Sequence, residues 1–326
     1  MWLWEEDAEK ADSNDDLVGD VRLLRSWFRG GDWSAPPLGY GRAWTSYSDK
    51  AFPLILFNSR LSPSPRDVAG GPAEPRPIEY LLQSEQRDAL GLPKTSLPIF
   101  ALFASPPEPT AGFQERLEAL LPMRNGIYCA KTKKLGTAGV SVSMRDGSLG
   151  VLTAGHVLPC GARSRVESSS SWVPRLWPRS EPFGVVEHHS VPLNTIGWDV
   201  AVIRPDRPVS PLKRAITRFP SVRYGQELAY ARGARSGLVD GVVLIAGLEE
   251  VRPAPLLGWL CCWLIAPASV LRKGDSGASV FVQGSGELLG TYVGGSSLGR
   301  SEPYALYVQD AHSLQVNMLS KWGVAF

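Results

Sequence analysis

From about residue 122 onward the chain breaks into short apolar runs, rich in Val, Ile, Leu and Thr, each closed by Gly, Pro, Asp or Ser. The runs at 139–143, 150–153, 184–186, 200–203, 241–245, 279–282 and 288–293 read as strands. Strands of this length at this spacing restrict the region to an antiparallel barrel or sandwich. Asp146-Gly147, between two such runs, predicts a tight hairpin, because both positions tolerate positive φ. That hairpin delivers the chain to Thr153-Ala154-Gly155-His156.

The first third has a different texture. Residues 1–20 carry eight acids against one base, Lys10, and read as a solvated arm. A short helix is expected at 21–28, before Gly30-Gly31. From 32 to 112 Pro and Gly punctuate the chain, leaving apolar islands at 52–57 and 97–103 that suit strands between loops. Two further helices are expected, at 78–90, ended by Gly91 and Pro93, and at 113–121, ended by Pro122. In the second of these, Phe113, Leu117, Leu120 and Leu121 share one face. Two parts follow: a mixed or α-containing extension over 1–122 and a mainly β domain over 123–326.

The chain of 326 residues is 44% hydrophobic and 20% charged, which allows a sizeable core. Its formal net charge of +2 supplies no broad field for phosphate backbones or anionic membranes, so neither nucleic acid nor membrane is expected as a partner. The apolar run at 256–266 is 11 residues long, short of the roughly 20 that cross a bilayer. Acidic residues stand where a secretory signal has its basic segment, and a cytoplasmic product is expected. Cys129, Cys160, Cys261 and Cys262 form no zinc pattern and are expected reduced, with a Cys129–Cys160 bridge conceivable if both flank one strand pair. No metal or other cofactor is expected. His188, His189 and His312 lie in no metal-binding pattern and read as surface or loop residues.

Three segments place a polar residue beside a strand pattern: Thr153-Ala154-Gly155-His156, Gly197-Trp198-Asp199-Val200 and Gly274-Asp275-Ser276-Gly277. Hydrolysing an amide near neutral pH needs a nucleophile, a base to take its proton, an anion to orient that base, and donors for the developing oxyanion. Ser276, His156, Asp199 and the backbone amides of Gly274 and Ser276 can fill these roles. The rival α/β-hydrolase arrangement needs Gly-x-Ser-x-Gly and a downstream Asp and then His. Gly274-Asp275-Ser276-Gly277-Ala278 departs from the first requirement, and Asp310 and His312 stand too close together for the second.

With these three segments in this order, residues 123–326 resemble the trypsin/chymotrypsin-like serine peptidases, whose triad has the same three roles. The resemblance implies a double Greek-key β-barrel, two six-stranded barrels with the active site in the crevice between them and His156 and Asp199 on one, Ser276 on the other. It implies a serine endopeptidase acting through an acyl-enzyme on protein or peptide substrates. It also places the base of the primary specificity pocket at Val270 and its wall at Tyr292, Gly294 and Gly295. An apolar base implies a neutral side chain on the substrate in place of Arg or Lys.

The secreted digestive members free an amine at an Ile/Val-Val-Gly-Gly segment and pair it with the Asp before the nucleophile. Asp275 is present, but no such segment is, and Val157 stands where animal members carry a cysteine. The chain is therefore closer to bacterial, non-digestive members. Its first 122 residues are expected to regulate or target the enzyme, by covering the cleft or binding a partner protein. The alternative from another class is a catalytically silent peptidase fold kept as a binding scaffold.

Overall fold

The structure is a computed structural model that describes residues 39–47, 50–58, 76–77, 88, 99–104, 108–109, 112–113, 126–132, 134–169, 180–193, 195–210, 216, 228–254, 257–267, 271, 273–297 and 304–326. In chain order the strands of the first third are β1 (Gly39–Tyr47), β2 (Lys50–Asn58), β3 (Arg76–Pro77), β4 (Phe100–Ala104), β5 (Glu108–Pro109) and β6 (Gly112–Phe113). Next come β7 (Gly126–Cys129), β8 (Lys134–Thr137), β9 (Ser141–Ser143), β10 (Leu149–Thr153), β11 (Arg165–Ser169), β12 (Ser180–Ser190), β13 (Thr195–Gly197) and β14 (Val200–Pro205). The last are β15 (Leu228–Gly233), β16 (Gly237–Ala254), β17 (Leu257–Pro267), β18 (Ser279–Val282), β19 (Leu288–Ser297) and β20 (Tyr304–Asp310), followed by helix α1 (Ala311–Trp322).

These strands form two mainly antiparallel sheets, and each contains a closed ring. In one, β8 and β9 are the two halves of a bent strand. β8 pairs with β7 and β9 with β10, while Gly139 N donates to Leu152 O at 2.8 Å and Leu152 N to Val140 O at 2.9 Å across the bend. The ring runs β7, β8/β9, β10, β14, β12, β11 and back to β7. In the other sheet the ring runs β15, β16, β17, β20, β19, β18 and back to β15. Counted by chain order within each ring, both barrels close as first, second, third, sixth, fifth, fourth. The same winding occurs twice, and the mainly β, double-barrel expectation is what the chain adopts.

Local chemistry accounts for the elements that set up the site. The 146–147 hairpin forms as expected: Gly147 has φ +80°, Met144 N donates to Ser148 O, and the Asp146 carboxylate takes Ser148 N at 3.0 Å and Ser148 Oγ at 2.5 Å. These bonds, with Arg204, hold the exposed Asp146 carboxyl down at about 2. Buried residues on the inner faces form three clusters, one led by Ile127, Cys129, Val157 and Trp259, one by Trp263, Ile265 and Tyr292, and one by Val142, Leu152, Val202 and Leu314.

The first third is not a bystander. β1 pairs antiparallel with β16, β2 with β1, and β4 runs parallel to β2, so both apolar islands are strands on the edge of the second barrel. β6 pairs with β8 of the first barrel and β5 with β19 of the second. The helix expected at 113–121 does not begin at Phe113, which lies in β6 because its backbone pairs with Lys134; residues 114–121 lie outside the described residues. The helices expected at 21–28 and 78–90 also lie outside them, apart from helical Asp88, as does the acidic arm.

Helix α1 went unforeseen. Asp310 caps it, accepting from Ser313 N at 2.7 Å and from Trp263 Nε1 at 3.0 Å, and Gly323 in the left-handed region ends it. Burial raises the Asp310 carboxyl above its ordinary value despite these donors. Ala311, Leu314 and Met318 then face the third cluster. Among the described residues no helix is long and apolar enough to cross a membrane.

Candidate active site

His156 sits in a 3-10 turn, Gly155–Val157, that follows β10 directly. Gly155 is required there: a Cβ at this position would lie 2.2 Å from Ser190 O of β12. Asp199 immediately precedes β14, the partner of β10, so the pairing of Thr153 with Ala201 draws the two segments together. The Asp199 carboxylate accepts from His156 N at 2.8 Å through Oδ1 and contacts His156 Nδ1 through Oδ2. The other ring nitrogen, Nε2, lies 3.1 Å from Ser276 Oγ. Thus the three residues named from sequence meet in one chain of contacts, with His156, Asp199 and Ser276 all buried.

Ser276 belongs to the turn before β18, in the second barrel. Thr137 N donates to Ser276 O at 2.7 Å, Gly277 N to Tyr292 O at 2.8 Å, and Ala278 N to Asp275 O at 3.0 Å. Gly274 has φ +105° and Gly277 φ +94°, conformations that L side chains rarely adopt, which is why glycines flank this turn. Asp275 points the other way from the His156 contact. Its carboxylate is fully buried and accepts from Arg235 N at 2.7 Å, Ser236 N at 3.2 Å and Ser236 Oγ at 2.5 Å.

Sequence reasoning passed over several residues that support this arrangement. Thr137 Oγ1 accepts from Ala234 N at 3.0 Å and donates to Gly274 O at 3.2 Å, while Thr153 Oγ1 donates to Thr137 O at 2.8 Å. Gln309 Oε1 of β20 accepts from Asp199 N at 3.3 Å, linking the second barrel to the acid of the first. His189, on β12 rather than in a loop, brings Nε2 within 3.0 Å of Gly155 O. A lone Thr, Gln or Ser in a strand carries no motif, so only the barrel winding reveals these contacts.

Of the residues assigned to the specificity pocket, Val270 lies outside the described residues. Tyr292 is fully buried in the second cluster, and Gly294 and Gly295 continue the same strand beyond it. Across the strand edge from these glycines lies β5, with Gly294 opposite Pro109 and Gly295 opposite Glu108. Among the described residues no group of three or more His, Cys, Asp or Glu side chains is arranged to hold a metal ion.

Beside the His156 turn, Cys129 Sγ of β7 and Cys160 Sγ stand 2.8 Å apart, unbonded. Burial raises the Cys129 thiol, but the contact with Cys160 and hydrogen bonds from Thr132 and Lys131 outweigh it and leave it below its ordinary value. The Cys160 thiol is raised, first by its contact with Cys129 and then by burial.

No protein-family model and no curated protein matches the chain. Among solved structures it is similar to the Nocardiopsis protease NAPase, at 18% identity over 62% of this chain and 95% of that one, with a TM-score of 0.43. A Cellulomonas bogoriensis chymotrypsin gives 19% identity, 62% and 95% coverage and a TM-score of 0.43. A glutamic acid specific serine protease that uses a histidine triad in substrate binding gives 21%, 63% and 98%, and 0.44. These neighbours are trypsin/chymotrypsin-like serine proteases, and at such identities their likeness to this chain concerns the fold alone.

Proposed function

We propose that this chain is a serine endopeptidase that hydrolyses peptide bonds in a limited set of protein substrates. One observation carries the reading: His156 bridges Asp199 at Nδ1 and Ser276 Oγ, 3.1 Å from Nε2. In the mechanism this supports, Ser276 Oγ attacks the scissile carbonyl carbon while His156 Nε2 takes the hydroxyl proton. Asp199 holds the ring and stabilises the imidazolium that forms. The amides of Gly274 and Ser276 are assigned to the developing oxyanion. Collapse of the tetrahedral adduct breaks the C–N bond, the amine leaves with the proton from His156, and water repeats the sequence on the acyl-enzyme. Val270, Tyr292, Gly294 and Gly295 are assigned to a pocket for a neutral side chain. A silent scaffold would place no demand on this geometry.

Regulation by residues 1–122 belongs to the same reading. It is supported by β5, which pairs with Gly294 and Gly295 of β19, beyond the stretch that β18 takes. The test is covalent labelling of the full chain with a small fluorophosphonate, read by intact and peptide mass. One adduct on Ser276 is expected, abolished in Ser276→Ala and slowed roughly a thousandfold or more in His156→Ala. A folded chain that labels nowhere, or labels equally without His156, refutes it.

A further inference from the structure

A carboxylate directly before the nucleophile is held by a hairpin turn distant in sequence. β15 and β16 are joined by Ala234, Arg235 and Ser236, with Gly233 paired to Gly237, and Gly237 takes the positive φ, +74°, that lets the chain turn back into β16. The tip of this turn faces Asp275. Both carboxylate oxygens are engaged, Oδ1 by the amides of Arg235 and Ser236 and Oδ2 by Ser236 Oγ. Contact is so close that a Cβ on Gly233 would fall 2.3 Å from Asp275 Oδ1. From the same turn, Ala234 N reaches Thr137 Oγ1, which donates to Gly274 O, and Arg235 Nη1 donates to Lys273 O at 3.3 Å. Residues 273–275 are thus gripped from one side by three consecutive residues of one turn.

A buried carboxylate is costly unless donors meet it, and donors fixed in a tight turn meet it in one geometry only. On the serine endopeptidase reading, on which this inference rests, we propose that the 234–236 turn is a built-in anchor for the nucleophile loop and that Ser236 is a positioning residue acting through Asp275. By holding the carboxylate, the turn fixes the positive φ of Gly274 and so the direction of the amides assigned to the oxyanion. The donors that meet the carboxylate here, Arg235 N, Ser236 N and Ser236 Oγ, all come from this turn. Its effect belongs to the chemical step, because Ser236 lies behind the loop and touches Asp275 rather than substrate.

The test uses the full chain and the variants Ser236→Ala and Ser236→Thr, first checked for unchanged far-ultraviolet circular dichroism. Labelling of Ser276 is followed against fluorophosphonate concentration to separate the maximal rate from the half-saturating concentration. Ser236→Ala is expected to lower the maximal rate roughly tenfold, the scale of one lost hydrogen bond to a charged group, with half-saturation little changed. Ser236→Thr, which keeps the hydroxyl, is expected to recover most of it. In parallel, amide hydrogen exchange over 273–278 should rise in Ser236→Ala, while exchange over β14 stays at its original level. Wild-type labelling kinetics with unchanged exchange at 273–278 overturns the proposal, and so does a rise shared equally with β14, which marks a merely structural hydroxyl. If the unmodified chain fails to label, the endopeptidase reading falls by itself, and the exchange experiment still decides whether the turn anchors the loop.

Discussion

At the scale of single residues, the two thiols beside the His156 turn make the sharpest chemical contrast with their surroundings. Cys129 is buried within the first barrel's core, whereas Cys160 is partly open and four residues past His156. At 2.8 Å, with the Cys129 thiol below its ordinary value, the pair is arranged for thiol–disulfide exchange. A small disulfide reagent should be attacked by one thiol to give a mixed disulfide, which the second thiol resolves, leaving the 129–160 bond and two reagent thiols. Non-reducing peptide mapping should then recover these two cysteines linked, with a net mass loss of two hydrogens, and Cys261 and Cys262 unmodified. A stable reagent adduct on Cys160 alone would show that the sulfurs do not meet. The sequence admitted this bridge only as a conditional, because whether two cysteines flank one strand pair depends on barrel closure. His156, Asp199 and Ser276, by contrast, were legible because each carries its own local segment of glycines and strand residues.

At the scale of elements, strands were easier to read than the helix that follows them. Alternation and β-branching mark 279–282 without ambiguity, whereas α1 depends on Asp310, which serves both as the last residue of β20 and as the helix cap and so gives no separate start signal. Helix α1 is fastened at both ends, by Asp310 at its start and near its finish by Trp322, stacked on His188 of β12 at 5.0 Å with 6° between the ring planes. Burial lowers the His188 titration point from its ordinary 6.5, with Glu187 opposing and Arg204 reinforcing the shift. The folded chain therefore binds this proton more weakly than the unfolded chain. The stability it contributes is present above 6.5 and is lost as pH falls from there through the lowered folded value. Urea midpoints measured from about pH 7.5 down to about pH 5 should show this loss in the natural chain. His188→Phe keeps an aromatic ring against Trp322 but cannot take up the proton, so its profile should be flatter over that interval. Parallel profiles for the two proteins would mean that His188 is not strained by its charge.

At the scale of the whole molecule, the site exists only where two barrels of identical winding meet. Thr137 N to Ser276 O, Val140 N to Ser279 Oγ at 2.9 Å, and Asp199 N to Gln309 Oε1 tie them together across the seam. The first third is woven into both, and Phe100 of β4 packs in the same cluster as Ile127 and Trp259. Removing residues 1–121 would therefore strip core packing as well as any cover over the site, so deletion cannot isolate a regulatory effect. A single backbone donor can. Pro109 has no amide hydrogen, which leaves Glu108 as the residue of β5 able to donate to β19. Glu108→Pro in the full chain removes that donor while leaving β1, β2 and β4 in place. If β5 occupies the edge to which an extended substrate adds as a strand, labelling of Ser276 by a peptidyl phosphonate should speed up several-fold, and labelling by a small fluorophosphonate should change less. The small probe needs only the turn, whereas the peptide needs Gly294 and Gly295. Equal rates with both probes, before and after the substitution, would mean that β5 is a structural wrap and that the substrate strand binds elsewhere.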